Sequence, residues 1–205
     1  MNKKLISVTG PARCGKNSLC NSLESEIKKM FPPLKIGHFS FAHALRQELD
    51  QFLIERFSIS AFTENPTDKE IIRHMLIGYG NAKRQQTDGK YWIEKLENSI
   101  EKSDCDVAII SDLRFAETKD DELGWLINNG GINFHIRRFV QKAGQNAKRS
   151  FERPKNEWEK KNNPKLQKNA TLVLDIERKV EDKDFSRLIQ KSAQKCAEEN
   201  LGFFL

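Results

Sequence analysis

The 205-residue sequence lacks any apolar run approaching the roughly 20 residues that a membrane-spanning helix needs. It has only four cysteines, with neither CxxC pairing nor metal-ligand spacing: Cys14, Cys20, Cys105 and Cys196. Reduced thiols in a cytoplasmic protein fit this usage, and we therefore expect a cytoplasmic location. The N-terminal segment MNKKLISVTG has an apolar stretch too short for a signal peptide, and its pattern favours a strand.

Other absences concern catalysis and charge. The four histidines show no metal-ligand spacing, no Ser-His-Asp arrangement is apparent, and there is no internal repeat. The excess of positive charge is small: 35 basic against 29 acidic residues give +6, which suits nucleic acid or a phosphorylated small molecule. On composition alone, solvation of surface helices is the preferred interpretation. With 38% hydrophobic residues, a single domain over residues 1–205 is predicted.

Apolar patterns alternate between strand and helix along the chain. Strands are predicted at residues 5–8, 35–41, 107–110, 133–137 and 171–174. Helices are predicted at residues 16–30, 42–57, 66–84, 88–100, 117–129 and 179–197, with Thr67 or Asp68 capping the third and Asp88 the fourth. The near-continuous apolar run at 107–110 is typical of a strand buried on both faces of a parallel sheet. We therefore predict a three-layer α/β/α fold of the P-loop kinase type.

Residues 139–169 differ in composition from the rest, because they are basic, polar and poor in aliphatic side chains, and include Pro154 and Pro164. A mobile lid and a disordered loop both fit this pattern. A lid that brings arginine onto a transferring phosphoryl group would exclude water and stabilise charge, and Arg153 is the catalytic candidate there. A tether without a catalytic role is the alternative. Arg137 and Arg138 lead into this region, and Arg149 lies within it.

The strongest local signal is the segment GPARCGKNS at residues 10–18, between the first predicted strand and the first predicted helix. Glycines let backbone N–H groups curl around a phosphate, and the helix N-terminus adds a favourable dipole. Lys16 would bridge the β- and γ-phosphates of ATP. A chance glycine-rich turn is the alternative, but the strand–loop–helix context favours a phosphate loop. The predicted ATP-binding residues are Gly10, Arg13, Cys14, Gly15, Lys16, Asn17 and Ser18.

The loop departs from the usual pattern at the residue after the lysine, where a Ser or Thr hydroxyl binds Mg²⁺. Here Asn17 stands in that place and Ser18 follows. Either the amide oxygen of Asn17 or the hydroxyl of Ser18 is predicted to bind the ion, directly or through water. Asp112, after the strand at 107–110, is predicted to bind it through water, as an acidic residue at that edge of a parallel sheet can.

A second group of residues suits a phosphorylated acceptor. Arg114 follows Asp112 by two residues, and its planar fork fits an acceptor phosphate. Helix capping is the alternative role for Asp112, and a surface ion pair is the alternative for Arg114. Further acceptor-binding candidates on predicted helices, where most arginines are merely solvated, are Arg46, Arg73 and Arg84. The predicted catalytic residues are Lys16, Asp112, Arg114 and Arg153.

Together these segments resemble the deoxynucleoside monophosphate kinases of bacteriophages. That family often has GKDT where this chain has GKNS, and SFAHALRQEL is similar to the Phe-Ala start of its helix after the second strand. MLIGYGNAKRQQTDGKYWIEKL is similar to its Leu-Gly-arginine-aspartate-Tyr-Trp stretch, and VAIISDLRFAE to its Asp-x-Arg-Phe segment. The family's segment commonly continues through Asn-Glu, where this chain has Glu117-Thr118. The resemblance ends near Arg138.

The resemblance implies ATP as donor, Mg²⁺ as cofactor and a (deoxy)nucleoside monophosphate as acceptor, which becomes the diphosphate. It implies Lys16 for the donor phosphates, and Asp112, Arg114 and Arg84 on the acceptor side. A homodimer fits the family, as does a location in the host cytoplasm for a phage protein. Neither a membrane nor nucleic acid is an expected partner.

Two rival functions fit parts of the sequence. Phosphomevalonate kinase of the animal type shares the scaffold and a similar Gly-x-x-Lys-Arg-Gln stretch, here residues 80–85. A nucleotide-binding protein without kinase activity, such as a nucleic-acid-stimulated ATPase, fits the basic charge and the missing hydroxyl after Lys16.

Overall fold

The computed structural model describes residues 3–141, 149–152, 154, 156–178 and 182–205, apart from the side chains of 182 and 183. The strands in this part of the chain are β1 (Lys4–Thr9), β2 (Ile36–Phe39), β3 (Val107–Ile110), β4 (Ile132–Gln141), β5 (Arg149–Phe151) and β6 (Leu172–Glu177). They form one sheet in the order β2-β3-β1-β4, with β5 and β6 both paired to β4. The β4–β5 pairing is antiparallel, and the other described pairings are parallel.

Helices cover both faces of this sheet. They are α1 (Lys16–Met30), α2 (Phe41–Phe57), α3 (Pro66–Gln86), α4 (Lys90–Lys102), α5 (Glu122–Asn128), α6 (Glu157–Lys168), α7 (Asp182–Glu199) and α8 (Leu201–Phe204). On one face, Ile6 and Val8 pack with α1 and α7, and on the other Leu5, Ala108 and Ile110 pack with α4, α5 and α6. The predicted three-layer α/β/α fold with a central parallel sheet is confirmed.

The register of the two central strands determines where the candidate site lies. All four residues of β3 are fully buried, as a β-branched run covered on both faces should be. Ser7 of β1 is aligned with Ile110 of β3 in a parallel pair. The loop that follows Thr9 and the segment that begins at Ser111 therefore leave the sheet at the same edge, the one where α/β proteins bind ligands.

Two helices begin differently from the sequence prediction. Asn65, not Thr67 or Asp68, caps α3, because its side chain accepts a hydrogen bond from the Thr67 N–H at 2.9 Å. The cap predicted at Asp88 is also wrong. That residue has a φ of 50°, and Gly89, with a φ of 89°, directly precedes α4.

The helix predicted at 117–129 is shorter than expected, since α5 begins at Glu122. The carboxylate of Asp121 accepts hydrogen bonds from the backbone N–H groups of Glu117 and Thr118, the latter at 2.9 Å. These bonds hold residues 117–120 in a turn, because an Asp side chain that binds local backbone donors competes with helix formation.

The described part of the basic stretch at 139–169 is regular structure rather than disordered loop. It contains the end of β4, strand β5 and helix α6. Asn162 and Leu166 of α6 are 1% and 2% exposed, and Leu166 joins the core around α4 and α5. Residues 142–148, 153 and 155 lie outside the described residues, so closure of a lid stays a prediction.

Helices α2, α3 and α4 pack together at one end of the molecule. Leu53, Ala61 and Ile72 form a small separate core there. Glu48 of α2 joins the other two helices, because its carboxylate accepts from the hydroxyls of Tyr79 at 3.0 Å and Tyr91 at 2.7 Å. Within the described ranges, no helix is both long and apolar enough to cross a membrane.

Candidate functional site

The glycine-rich loop between β1 and α1 has a conformation that requires or favours glycine at two positions. Gly10 has a φ of 138°, and a Cβ there would lie 2.4 Å from the carbonyl oxygen of Ile136 in β4. Gly15 has a φ of 101°, and a Cβ there would lie 2.6 Å from the ring of Phe185 in α7. Close approach of the β4 backbone therefore requires glycine at Gly10, whereas Gly15 is favoured by its positive φ and meets only the ring of a side chain. A glycine-rich turn of this kind is expected of a phosphate loop.

Lys16 folds back over this loop from the first turn of α1. Its Nζ donates to the carbonyl oxygens of Gly10 and Pro11, at 2.9 Å each. These are neutral acceptors on a half-buried ammonium group, so an anion in the loop would offer stronger partners. The lysine is thus placed where its charge and the N-terminus of α1 act on the same ligand.

The other predicted ATP-binding residues lie on the same loop and turn but differ in exposure. Arg13, with a φ of 64°, is exposed, as are Asn17 and Ser18 in the first turn of α1. Cys14 is fully buried, and burial raises the pKa of its thiol. Cys14 can therefore serve a ligand through its backbone only, whereas Asn17 and Ser18 present side-chain oxygens of the kind that Mg²⁺ binds.

Asp112 lies at the predicted edge and caps a helix from another part of the chain. Its Oδ1 accepts from the N–H of Phe41 at 2.9 Å, and its Oδ2 accepts from the N–H of Ala42 at 2.9 Å and the hydroxyl of Ser40 at 2.8 Å. The Ser40 side chain makes no cap of its own, so the carboxylate of Asp112 supplies it to α2. Its magnesium role stays a prediction.

The segment after Asp112 is held by a buried carboxylate that sequence reasoning missed. Oε2 of Glu122 accepts from the backbone N–H groups of Arg114 at 2.7 Å and Phe115 at 3.1 Å. Glu122 is 3% exposed, and burial raises its pKa to about 7. In the sequence it is only one more acidic residue near a helix start, and nothing in its spacing signals burial.

Arg84 completes this cluster from α3. Its guanidinium lies 3.4 Å from the ring centroid of Phe115, and its Nη1 lies 3.7 Å from Oε1 of Glu122. That Nη1 is buried and has no hydrogen-bond partner. The side chain of Arg114 is exposed and makes no ion pair among the described residues. The two strongest acceptor candidates therefore share one neighbour, Glu122.

The other predicted acceptor residues are not joined to this cluster by any described contact. Arg46 is exposed on α2, and Arg73 pairs with Glu70 at 3.4 Å on the exposed side of α3. Arg153 lies outside the described residues. A cavity of about 350 Å³ opens beside β2, between α2 and α4, and none of the predicted site residues lines it.

Helix α6 also supports the segment after β3. The side-chain oxygen of Asn162 accepts from the N–H of Ala116 at 2.8 Å, and Lys161 pairs with Glu117 at 2.7 Å. Trp158 is 51% exposed, and its ring lies 5.8 Å from that of Phe115. An aromatic edge therefore borders the Arg84–Phe115 stack, and the sequence analysis did not identify it.

The end of β4 carries positive charge beside the glycine-rich loop. Arg138 stacks at 4.6 Å on the ring of Phe185, the same ring that closes over Gly15, and its Nε is buried without a hydrogen-bond partner. Arg137 forms a bidentate ion pair with Asp175, at 2.7 and 2.9 Å. Of these two arginines, Arg138 has the guanidinium that an additional ligand would satisfy.

The buried His135 of β4 lies next to β1, where the charges of Arg137 and Lys16 act on its pKa. Nδ1 of His135 lies 2.9 Å from Oγ1 of Thr9, whose hydroxyl donates to Asn133 at 2.9 Å. Burial, with help from the charges of Arg137 and Lys16, lowers the pKa of His135 to about 4. The histidine is neutral near pH 7 and adds no charge to this edge.

The structure thus defines an α/β protein with a glycine-rich loop between its central strand and its first helix. No protein-family model matches the sequence, and no curated protein matches it either. Among solved structures, it is similar to the tunicamycin resistance protein of Deinococcus radiodurans, with 13% identity, 96% of this chain and 95% of that chain covered, and a TM-score of 0.40. A gluconokinase from Sinorhizobium meliloti is 10% identical, with 98% of this chain and 97% of that chain covered and a TM-score of 0.40.

Among the described residues, no group of three or more His, Cys, Asp or Glu side chains has metal-binding geometry.

Proposed function

We propose that the chain transfers the γ-phosphoryl group of ATP to a (deoxy)nucleoside monophosphate, giving ADP and the nucleoside diphosphate. The loop that joins β1 to α1 carries the proposal: Gly10 leaves no room for a Cβ, and Lys16 folds back to donate to the carbonyls of Gly10 and Pro11. Such a loop binds a phosphate chain with backbone N–H groups and one lysine.

Transfer needs little covalent chemistry from the protein. Lys16 exchanges the carbonyls of Gly10 and Pro11 for phosphate oxygens of ATP, and its charge follows the γ-phosphoryl group. An oxygen of the acceptor phosphate forms a bond to the γ-phosphorus as the bond from that phosphorus to the β–γ bridging oxygen breaks. ADP leaves with the electron pair, and a dianionic acceptor has no proton to lose.

Mg²⁺, when bound, would neutralise charge that develops on the phosphates during transfer. Asn17 and Ser18 fit it as exposed oxygen ligands at the N-terminus of α1, and Asp112 fits as a partner through water. Arg114 and Arg84 would bind the acceptor phosphate, and Arg153 would act from the lid. Arg46 and Arg73 have weaker support, since they lie on exposed helix surfaces.

The test is the substitution Lys16→Ala. We expect phosphoryl transfer to fall by about three orders of magnitude with the fold retained, because the lysine binds charge that shifts during the reaction. Lys29→Ala is the matched control, since Lys29 lies on the same helix and pairs with Glu26 at its surface. Substantial ATP-dependent transfer by the Lys16 variant would remove the assignment.

The acceptor is identified by measuring product with a panel: nucleoside monophosphates, phosphomevalonate, and DNA or RNA. Formation of a nucleoside diphosphate supports the proposal. Product from phosphomevalonate alone would establish the rival acceptor. ATP hydrolysis stimulated by nucleic acid, without a phosphorylated acceptor, would favour an ATPase.

A further inference from the structure

We propose that Glu122 is the positioning residue of the acceptor site, which orients Arg114 through the backbone and Arg84 through charge so that both face one phosphate monoester. This inference rests on the proposed function and identifies what organises its acceptor side. Three observations on separate elements support it: the hydrogen bonds to the segment after β3, the unsatisfied guanidinium on α3, and the burial of the carboxylate between them.

The first observation concerns Arg114. One oxygen of Glu122 accepts from two successive backbone N–H groups, those of Arg114 and Phe115. The Leu123 N–H donates in turn to the carbonyl oxygen of Phe115 at 3.1 Å. The start of α5 therefore holds the backbone at Arg114, the exposed acceptor candidate. Because these hydrogen bonds involve backbone atoms, they fix the direction in which the Arg114 side chain leaves the segment.

The second observation concerns Arg84. Its guanidinium is fixed by the ring of Phe115 on one face and by the Oε1 of Glu122 at 3.7 Å, a separation too long for a hydrogen bond. Nη1 is buried and lacks a hydrogen-bond partner, which costs free energy for a charged donor. Very few buried donors are left unpaired in folded proteins, and an oxygen of a phosphate group would satisfy this one.

The third observation is that the carboxylate is buried at all. A glutamine would satisfy the two N–H groups without burying a charge, so hydrogen bonding alone does not account for glutamate here. The charged groups facing Glu122 are Arg84 from α3, which favours the ionised form, and Asp112 from the end of β3, which opposes it. An ionised Glu122 attracts Arg84 and keeps its guanidinium on the ring of Phe115.

The experiment compares Glu122→Gln with Glu117→Gln. Both remove a carboxylate from the same segment, but Glu117 forms its ion pair with Lys161 on α6, and of the groups that lower its pKa Arg84 has the smallest effect. We expect Glu122→Gln to raise the acceptor KM about tenfold and to change the ATP KM less than twofold. The control should leave both constants unchanged. An unchanged acceptor KM in Glu122→Gln, or equal weakening of both substrates, would overturn the proposal.

A pH profile and a double variant separate positioning from a purely structural role. Burial raises the pKa of Glu122 to about 7, so Glu122 should ionise as the pH rises from about 6 to about 8. Over that range the ratio of the wild-type acceptor KM to the acceptor KM of Glu122→Gln should fall, because the variant has no carboxylate to ionise. The acceptor's own titration cancels in that ratio. Arg84→Gln should give a similar loss, and combining it with Glu122→Gln should add little. Additive losses would contradict action through Arg84.

Direct binding keeps this test independent of turnover. Calorimetric titration with a nucleoside monophosphate measures acceptor affinity in each variant, so absence of transfer would defeat the proposed function while leaving Glu122 testable. If Glu122→Gln does not fold, the acceptor KM of Arg84→Gln is measured against pH instead. If that KM depends on pH near 7 as strongly as the wild-type KM does, Glu122 does not act through Arg84 and the proposal is overturned. Faster amide exchange at Arg114 and Phe115 in Glu122→Ala, but not in Glu117→Ala, is expected as well.

Discussion

The two sides of the candidate site are built in different ways. The donor side is contiguous, because residues 10–18 form one loop and one helical turn between β1 and α1. The acceptor side is assembled from distant segments: Arg84 on α3, the residues after β3, and Glu122 at the start of α5. A contiguous site is recognisable from spacing, whereas an assembled one depends on tertiary contacts that spacing does not reveal.

On each side, one arginine has a buried side-chain N–H donor without a hydrogen-bond partner. Arg138 lies against Phe185 beside Gly15, and Arg84 lies against Phe115 beside Glu122. The unpaired atoms are Arg138 Nε and Arg84 Nη1, and in the part of the chain that the structure describes no other buried side-chain donor or acceptor lacks a partner. Both cationic groups are stacked on a ring and left with one donor that has no hydrogen-bond partner, and an oxygen of an anion would satisfy such a donor.

The largest effect is expected from Gly10→Ala on the donor side. The new Cβ would lie 2.4 Å from the backbone oxygen of Ile136 at a φ of 138°, so β4 and the loop would have to separate. We expect ATP affinity to fall more than about 100-fold and the free energy of unfolding to fall by about 2–4 kcal/mol.

Gly130→Ala is the control for backbone strain alone. Gly130 also has a positive φ, of 69°, but no atom lies within 4 Å of its Cβ position. It should cost about 1–2 kcal/mol of unfolding free energy and leave ATP affinity unchanged. Nucleotide titration and urea unfolding measure the two quantities. Similar ATP affinities in the two variants would mean that the loop does not bind the nucleotide.

A smaller effect is expected from Asp112→Asn, which separates capping from metal binding. Asparagine keeps one of the two oxygens that cap α2, so the free energy of unfolding should fall by about 1–2 kcal/mol. The exposed Asp104, which pairs with Lys35, provides the control Asp104→Asn, which should leave the free energy of unfolding nearly unchanged. An unchanged Mg²⁺ requirement for turnover would limit Asp112 to its structural role, whereas a raised requirement would support it as a ligand of the ion.

The sequence predicted the local structure around the glycine-rich loop well because its determinants are local. A strand, a glycine-rich turn and a helix at 16–30 follow directly from apolar spacing and glycine placement, and the structure has them at those positions. The continuous apolar run at 107–110 likewise predicted a central parallel strand. In each case the pattern reports how neighbouring residues are buried, which is the property that periodicity measures.

The acceptor side was predicted less completely. Arg114 is predicted from its position after the strand at 107–110 and Arg84 from its place on a helix, and the resemblance supports both, but Glu122 falls inside a helix predicted to begin at residue 117. The turn held by Asp121 moves that helix start to Glu122 and brings its carboxylate under the preceding segment. Asp112 was recognised by its position at the sheet edge, but its partners at the start of α2 lie about 70 residues away in the chain.

The smallest effect concerns α3, where a glycine has no evident structural reason. Gly78 lies within the helix, and no atom lies within 4 Å of its Cβ position. Gly78→Ala should therefore raise the free energy of unfolding by about 0.5–1 kcal/mol, since alanine loses less backbone entropy. Gly124→Ala in α5 is the matched control, because its Cβ would lie 1.8 Å from the carbonyl oxygen of Lys119 and should be strongly destabilising. Destabilisation by Gly78→Ala, with a fall in molecular mass measured by light scattering, would instead show that a second copy packs closely on this surface of α3.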